Sequence, residues 1–594
     1  MTETLQHDTG RTGLGGASAL FAIRLATGLV QGLALYLLYL AADSRVWPET
    51  QPVVFGALAL AAGYVPVVVL AGVGRVKPMA LILWAAAAAG VLALLGAHDV
   101  ARQMLKPHEE PPFLSFPVLA FSAAALFIAH HLIVPAIRER RWIVDYPEYF
   151  DIAWKAGVQL ALSLGFTGAF WILLHLGAAL FKVIGLGFLQ HLLSEAWFAI
   201  PVTALVFATA VQLTDVRDGL IRGVRTVALM LLSWLLLVIT VLVGGFLLAL
   251  PFTGLDGLWE TRSATALVLS AAAALIVLIN TAYQDGRADN LPPVVLRYGV
   301  RAASVLIAPL IGLAAWGLAL RIGQHGLTPD RIIAAACNLI GAVYGAGYLL
   351  AAVKPGGWMK PLERTNVAAA VLSVLVILAL FSPLADPARL SVQDQVARLE
   401  RGAVSAQAFD YDFLKFESGK AGITALKLLS RSSNPQISQL AREAQAKTDR
   451  YSTDLTSPAM IAATLPKVRL KPAQGELAPP ASFMDQLGRL EPVLRDCASE
   501  MPCRTRTLDL NGDGRDDLLV SSRNIIMAFI LEADGRWFEH GRYHSNCPSG
   551  DESLLDSFAS GRIQIRPARL PDLVLDGEPL QAELSSGCPT DSNR

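Results

Sequence analysis

Asp509, Asn511, Asp513, Gly514, Arg515 and Asp517 follow one another in the stretch DLNGDGRDD with the spacing that a hard cation requires. Side-chain oxygens fall at loop positions one, three, five and nine, the Arg515 backbone carbonyl at seven, and a turn-permitting glycine at six, which suits an ion the size of Ca²⁺. A structural Ca²⁺ is thus the one cofactor the residues suggest, with a metal-free turn rich in Asp and Asn as the alternative. An EF-hand needs a bidentate glutamate at position twelve, and Val520 stands there, which argues against a helical calcium sensor.

Two other groups could do chemistry in apolar surroundings. Gln159, Ser163, Thr167, Trp171 and His175 recur every four residues, so on a helix they form a ladder that winds slowly around the axis. Such a ladder either hydrogen-bonds neighbouring helices or lines a polar path with His175 as a proton relay. The second group gathers Gln212, Asp215, Asp218, Arg222, Arg225, Asn280, Tyr283, Gln284 and Asp285 at the ends of three apolar runs, where they form an inward-facing site or ordinary salt bridges. Arg24, inside the first apolar run, is expected to snorkel to the surface. His98, Asp99, His108, Glu109 and Glu110 match no familiar zinc spacing and read as solvated loop charge. No Walker loop, nucleophile elbow or zinc-protease helix occurs, so no catalytic residue is assigned and the reading leans away from an enzyme.

The elements that must position these residues are membrane helices. With 54% hydrophobic and 16% charged residues and a mean hydropathy of +0.47, the chain is too apolar for an ordinary soluble protein. Val227–Leu250 alone holds 24 residues without a charge, enough to cross a hydrocarbon layer of about 30 Å. Runs of this kind predict eleven helices, near 17–42, 52–73, 78–97, 113–136, 153–181, 196–214, 227–250, 263–283, 298–320, 332–353 and 365–384. Placing the amino terminus inside puts 15 Lys/Arg in the cytoplasmic segments against 7 in the opposite loops, so the positive-inside tendency favours a cytoplasmic start and a periplasmic tail. Residues 1–16 form a cytoplasmic tail without the features of a removable signal peptide. Thr328-Pro329-Asp330 reads as a helix start, Gly341 and Gly345 as close packing, and Val183–Ala196 as a short interfacial segment.

After residue 386 the texture changes. Residues 387–450 show helical apolar spacing and predict a helical subdomain, 451–484 read as a linker, and 485–594 as a small β domain with strands at 517–522, 525–531 and 537–543. Cys497, Cys503, Cys547 and Cys588 all lie there, an even set suited to an oxidising compartment. Proximity favours the pairings Cys497–Cys503 and Cys547–Cys588. The DLNGDGRDD loop, with the strand residues Leu518–Val520 directly after it, resembles the calcium loops of integrin-type β-propeller repeats. The fold class expected is therefore an all-α polytopic membrane protein with a carboxyl-terminal periplasmic α+β region.

Six stretches carry a wider resemblance: GFTGAFWILLHLGAALFKVIG at 165–185, LLSWLL at 231–236, LPFTGL at 250–255, TAYQDG at 281–286, QHGLTPDR at 324–331 and SPLADPARLS at 382–391. In this order the block from Tyr149 to about Leu399 resembles the bacterial membrane family filed as domain of unknown function 4153. The resemblance implies an integral inner-membrane protein and brings no activity, cofactor or substrate site with it. The function expected first is a non-enzymatic envelope protein, partnered by the lipid bilayer and by a periplasmic or cell-wall molecule at its tail. A small-solute or ion permease and an enzyme acting on lipid-linked substrates are the alternatives. Nothing in the charge pattern suggests nucleic acid.

Overall fold

The structure is a computed structural model that describes residues 14–105, 111–216, 218–254, 264–287, 291–355, 358–447, 469–487, 497, 503–522, 525–532, 535–544, 558–560, 573–575 and 578–580. Two compact units divide the chain, Met1–Gln445 and Ala446–Arg594.

Among the described residues, eleven helices are long and apolar enough to cross a membrane, as the apolar runs predict. They are α1 (Leu14–Asp43), α2 (Pro52–Gly72), α3 (Pro78–Arg102), α4 (Phe116–Glu139), α5 (Tyr146–Val183), α7 (Ala196–Val216), α8 (Asp218–Thr253), α9 (Ala264–Tyr283), α10 (Val294–His325), α11 (Pro329–Val353) and α12 (Pro361–Leu380), with the short α6 (Phe188–Ser194) between α5 and α7. Proline in the first turn starts α2, α3, α4, α5, α11 and α12, where its missing N–H is no loss. Thr328 caps α11 by accepting the Arg331 N–H. A large apolar core joins α5, α8, α9, α10, α11 and α12 around Leu275, Ile279, Tyr283, Ile307 and Tyr348, all of them fully buried.

Lipid is as apolar as leucine, so close backbone approach contributes much of what holds such helices together. The α1–α7 contact shows it: a Cβ on Gly28 would stand 2.9 Å from the Ala204 carbonyl oxygen, and one on Gly32 only 2.5 Å from the Pro201 Cα. These two glycines, four apart, form a small-residue seam of the kind expected at 341–345.

The first unit continues past the last spanning helix. Helices α13 (Pro387–Glu400), α14 (Gly419–Leu429) and α15 (Pro435–Ala446), with a five-residue π-helical turn at Phe413–Glu417, enclose a core of Leu399, Phe409, Leu414 and Leu426. Helix α13 is stitched to the α10–α11 connection. The Leu327 N–H donates to Asp394 (2.7 Å), the Ser391 hydroxyl to the Leu327 carbonyl (2.9 Å), and Arg398 to the Gln324 carbonyl (2.9 Å). His98 and Asp99 belong to this framework rather than to a solvated loop. Asp99, 1% exposed, accepts from the Ser115 N–H and hydroxyl and from Arg102, while His98 and Arg102 both face Asp386, the N-cap of α13. His108, Glu109 and Glu110 lie outside the described residues.

The second unit holds a five-stranded sheet in the order β1 (Leu470–Pro472), β2 (Cys503–Leu508), β3 (Asp517–Ser521), β4 (Ile525–Leu531), β5 (Trp537–His544), with β1 parallel to β2 and the others antiparallel. A separate pair joins β6 (Leu573–Leu575) to β7 (Glu578–Leu580). Three of the five strands coincide with the predicted ones. The expected linker does not hold over its second half: β1 pairs with Cys503–Thr505, and the short α16 (Ala481–Met484) buries Phe483 against Phe529 and Trp537. A three-residue strand that includes Pro472 carries too little periodicity to be seen in sequence. Cys497 and Cys503 form a disulfide; Cys547 and Cys588 lie outside the described residues.

Gly32→Ala should lower the thermal midpoint of the detergent-solubilised protein, since overpacking against a neighbouring backbone costs about 1–3 kcal/mol. Gly90→Ala, where a Cβ would meet nothing within 4 Å, should leave the midpoint equal or raise it.

Candidate functional site

Four polar side chains from four helices meet inside the first unit: Tyr146 at the start of α5, Asn280 in the last turn of α9, Tyr348 on α11 and Asn366 in the second turn of α12. The Asn280 amide N–H donates to the Tyr348 hydroxyl (2.8 Å), Tyr348 donates to the Asn366 carbonyl (2.6 Å), and the Asn366 amide returns to the Asn280 carbonyl (2.6 Å). Tyr146 adds a fourth corner, donating to the Asn280 carbonyl and accepting from Asn366, both at 3.2 Å. The second Asn280 N–H goes to the Ile276 carbonyl. Every donor in the ring is used, so what it has left to offer is acceptor capacity. One turn away, Tyr283 donates to Glu363 (2.9 Å), which also holds Lys360 (2.7 Å), and its ring stacks on Trp358.

Tyr146, Asn280 and Asn366 of the ring line an open cavity of about 240 Å³, with Phe150, Trp154, Tyr344 and His131 among its other residues. The His131 Nδ1 lies 2.6 Å from the Phe127 carbonyl, which assigns the proton to Nδ1 and leaves Nε2 an acceptor. That Nε2 is buried and has no hydrogen-bond partner among the described residues. Leu132 separates this cavity from a second, of about 500 Å³, that runs between α4 and α12 along Ala129, Ile133, Ala136, Val371 and Leu375 to Arg140, Arg141 and Trp142. Arg140 closes α4 in the left-handed conformation (φ 57°), a position glycine would ordinarily take, and the N–H groups of Arg140 and Arg141 both return to the Ala136 carbonyl. The placement costs about 1 kcal/mol. It sets Arg140 and Arg141 among the residues lining an apolar groove, beside a Trp142 that is 98% exposed.

The residues gathered in sequence as one face cluster separate into distinct networks. Asp215 joins Arg24 (2.6 Å) and Arg75 (3.3 Å), and Arg24 also donates to Gln212. Arg24 is 3% exposed and does not snorkel, because the carboxylate on α7 meets it inside the bundle. Arg225 instead pairs with Asp151 and covers the Phe150 ring, and Arg287 connects Asp151 to Asp285. The side chains of Asp218 and Arg222 lie outside the described residues. The ladder divides as well. Gln159, Ser163 and Thr167 are buried, with Gln159 bound to Arg75 and to the Val211 carbonyl, whereas Trp171 reaches Thr203 and His175 points outward, bonded to the Trp171 carbonyl. Tyr146, Asn366, Tyr348 and His131 were missed in sequence. Their only signal is that two asparagines interrupt apolar runs within two turns of a helix end.

In the second unit, the DLNGDGRDD loop joins β2 to β3: its first residue follows Leu508, and its last, Asp517, is the register partner of Leu508. Asp509 accepts from the Gly512 and Gly514 N–H groups, Asn511 from Asp513 N–H, and Asp513 from Arg515 N–H. Among the described residues no three His, Cys, Asp or Glu side chains already converge as a metal centre.

These features define a multi-pass helical membrane protein with internal polar cross-links, a lateral cleft and a separate small sheet domain. The chain belongs to the family described as Domain of unknown function (DUF4153), whose model matches residues 55–427. That span runs from the start of α2 into α14 and so includes the stitched helices beyond the last spanning one. No curated protein and no solved structure matches the chain.

Asp215→Asn should destabilise the protein by about 3 kcal/mol, the low end for a broken buried ion pair, because Asp215 keeps a quarter of its surface exposed. Thermal unfolding in detergent measures this, and the Arg24→Met/Asp215→Asn double variant should recover part of the loss, since one of the two stranded guanidinium groups is gone.

Proposed function

We propose that this chain is a membrane protein that binds an anionic, lipid-type amphiphile in the cleft between α4 and α12. One observation carries the reading: an apolar groove between two spanning helices ends on Arg140, Arg141 and Trp142, and adjoins a polar-walled cavity across Leu132. An acyl or isoprenoid chain fits the groove, and an acidic headgroup fits the two guanidinium groups in its lining. An exposed tryptophan beside them suits the boundary between headgroups and hydrocarbon.

The outward-facing half of the Gln159–His175 ladder gives a permease path no lining. The threading favoured by the positive-inside bias puts the arginine rim at the cytoplasmic leaflet of the bacterial inner membrane and the second unit in the periplasm. Recognition of a periplasmic or cell-wall partner by that unit is compatible with this reading and rests on the same threading.

Native mass spectrometry of the protein released from mild detergent tests the proposal. The wild type should retain an acidic amphiphile in one-to-one ratio. Two arginines at about 1 kcal/mol each make an expected loss of about tenfold or more in occupancy for Arg140→Ala/Arg141→Ala. Ala129→Trp, which fills the groove, should lose it too. Equal retention by all three proteins would sink the idea, and the mass of the retained species separates a phospholipid from a free fatty acid or an isoprenoid phosphate.

A further inference from the structure

We propose that the β2–β3 loop of the second unit is a Ca²⁺ site, with Asp509, Asn511, Asp513 and Asp517 supplying side-chain oxygens and Arg515 its backbone carbonyl. The spacing alone would describe any Asp-rich turn. The independent observation is Asp517. This residue is 1% exposed, its Oδ2 accepts the Leu510 N–H from within the loop (3.0 Å), and its Oδ1 is buried with no hydrogen-bond partner among the described residues. A buried carboxylate oxygen without a partner carries a desolvation penalty that no described residue offsets. A cation seated in the loop supplies the missing partner.

Asp509, Asp513 and Asp517 do not converge without an ion, and the backbone of the loop leaves them free to do so. Gly512 and Gly514 sit at φ 76° and 80°, a left-handed conformation that lets the chain wrap tightly and that a side chain would strain. The Gly514 N–H binds Asp509, which fixes the first ligand while its carboxylate keeps further lone pairs. Asn511 and Asp513 are exposed, so they can swing onto an ion without disturbing the core, whereas Asp517 is already in place at the start of β3. Oxygen ligands in an irregular loop suit Ca²⁺, which accepts six to eight of them, better than Mg²⁺, which demands near-ideal octahedral geometry. The ion would tie the start of β3 to the end of β2, bracing the two strands that carry Val520 and Cys503 into the core. One loop without a helix pair makes this a brace rather than a switch.

The test is calorimetric titration of the full-length, chelator-stripped protein in detergent with Ca²⁺ alone, up to about 10 mM, which spans the affinities of extracellular modules. One saturable site is expected, with a rise in the thermal midpoint of the second unit on loading. Asp513→Asn, an exposed change that leaves the fold intact, should weaken binding about tenfold or more, because it removes a charged ligand. Asp516→Asn removes the same charge one step before Asp517 and outside the ligand positions, so it should weaken binding less than about threefold. Absence of saturable binding to the wild type would overturn the assignment, as would equal losses in the two variants, which would mark diffuse acidic attraction. Asp517→Asn should abolish binding, and the exposed Asp513 variant decides the question if that buried change fails to fold.

Discussion

Inside a hydrocarbon layer a polar side chain can be satisfied only by another part of the protein, and the first unit is organised by that restriction. Tyr146, Asn280, Tyr348 and Asn366 would each be a liability alone on an apolar helix. Together they close a ring in which every donor has an acceptor, and in doing so they fix the relative rotation of α5, α9, α11 and α12. The Arg24–Asp215–Arg75 group does the same for α1, α7 and the α2–α3 connection. Apolar packing brings these helices together without specifying their register. The polar contacts specify it, since sliding any helix by one turn would leave several buried groups unpaired.

The same reasoning explains why the bundle does not stop at α12. The carbonyls at the end of α10 would be orphaned where the chain turns into α11, and α13 supplies Ser391, Gln395 and Arg398 as their donors, while Asp394 takes the Leu327 N–H. Gly326, at φ 74°, is hemmed in by those same side chains, so a Cβ there would meet Arg398, Asp394 and Gln395 at 2.7 Å. The stretches QHGLTPDR and SPLADPARLS, far apart in sequence, are thus the two sides of one joint. That joint lies within the residues matched by the family model, whereas the sheet domain lies outside them.

The cleft is one of the places where the bundle departs from this economy of pairing. Beside the polar ring, His131 keeps a ring nitrogen with no partner among the described residues, and Arg140 holds a backbone conformation that glycine would take more readily. Packing alone accounts for neither. Unused hydrogen-bonding capacity and a small local strain, located at adjoining cavities that open between the same two helices, are the usual traces of a site shaped for something other than the chain itself. The Asp517 oxygen in the second unit is a trace of the same kind, in a loop whose oxygen spacing names the ion.

The number and extent of the spanning helices were legible in the sequence because a hydrocarbon slab acts on composition over about twenty residues, a local property that needs no knowledge of neighbours. Three of the strands and the Cys497–Cys503 pair were legible for similar reasons, alternation in one case and proximity in the other. What the sequence could not settle was which polar residue meets which. Asp215 and Asp285 stand in equivalent positions at helix ends, yet one pairs with Arg24 and Arg75 and the other with Arg287. Arg24 reads as a snorkelling cation until α7 is placed beside it. His131 and the groove along α4 and α12 carry no local pattern at all, since a cavity is defined by the helices that fail to fill it. The membrane's demand is one-dimensional and shows in the chain; the partner of a buried polar group is a fact of three dimensions, and only the packed bundle decides it.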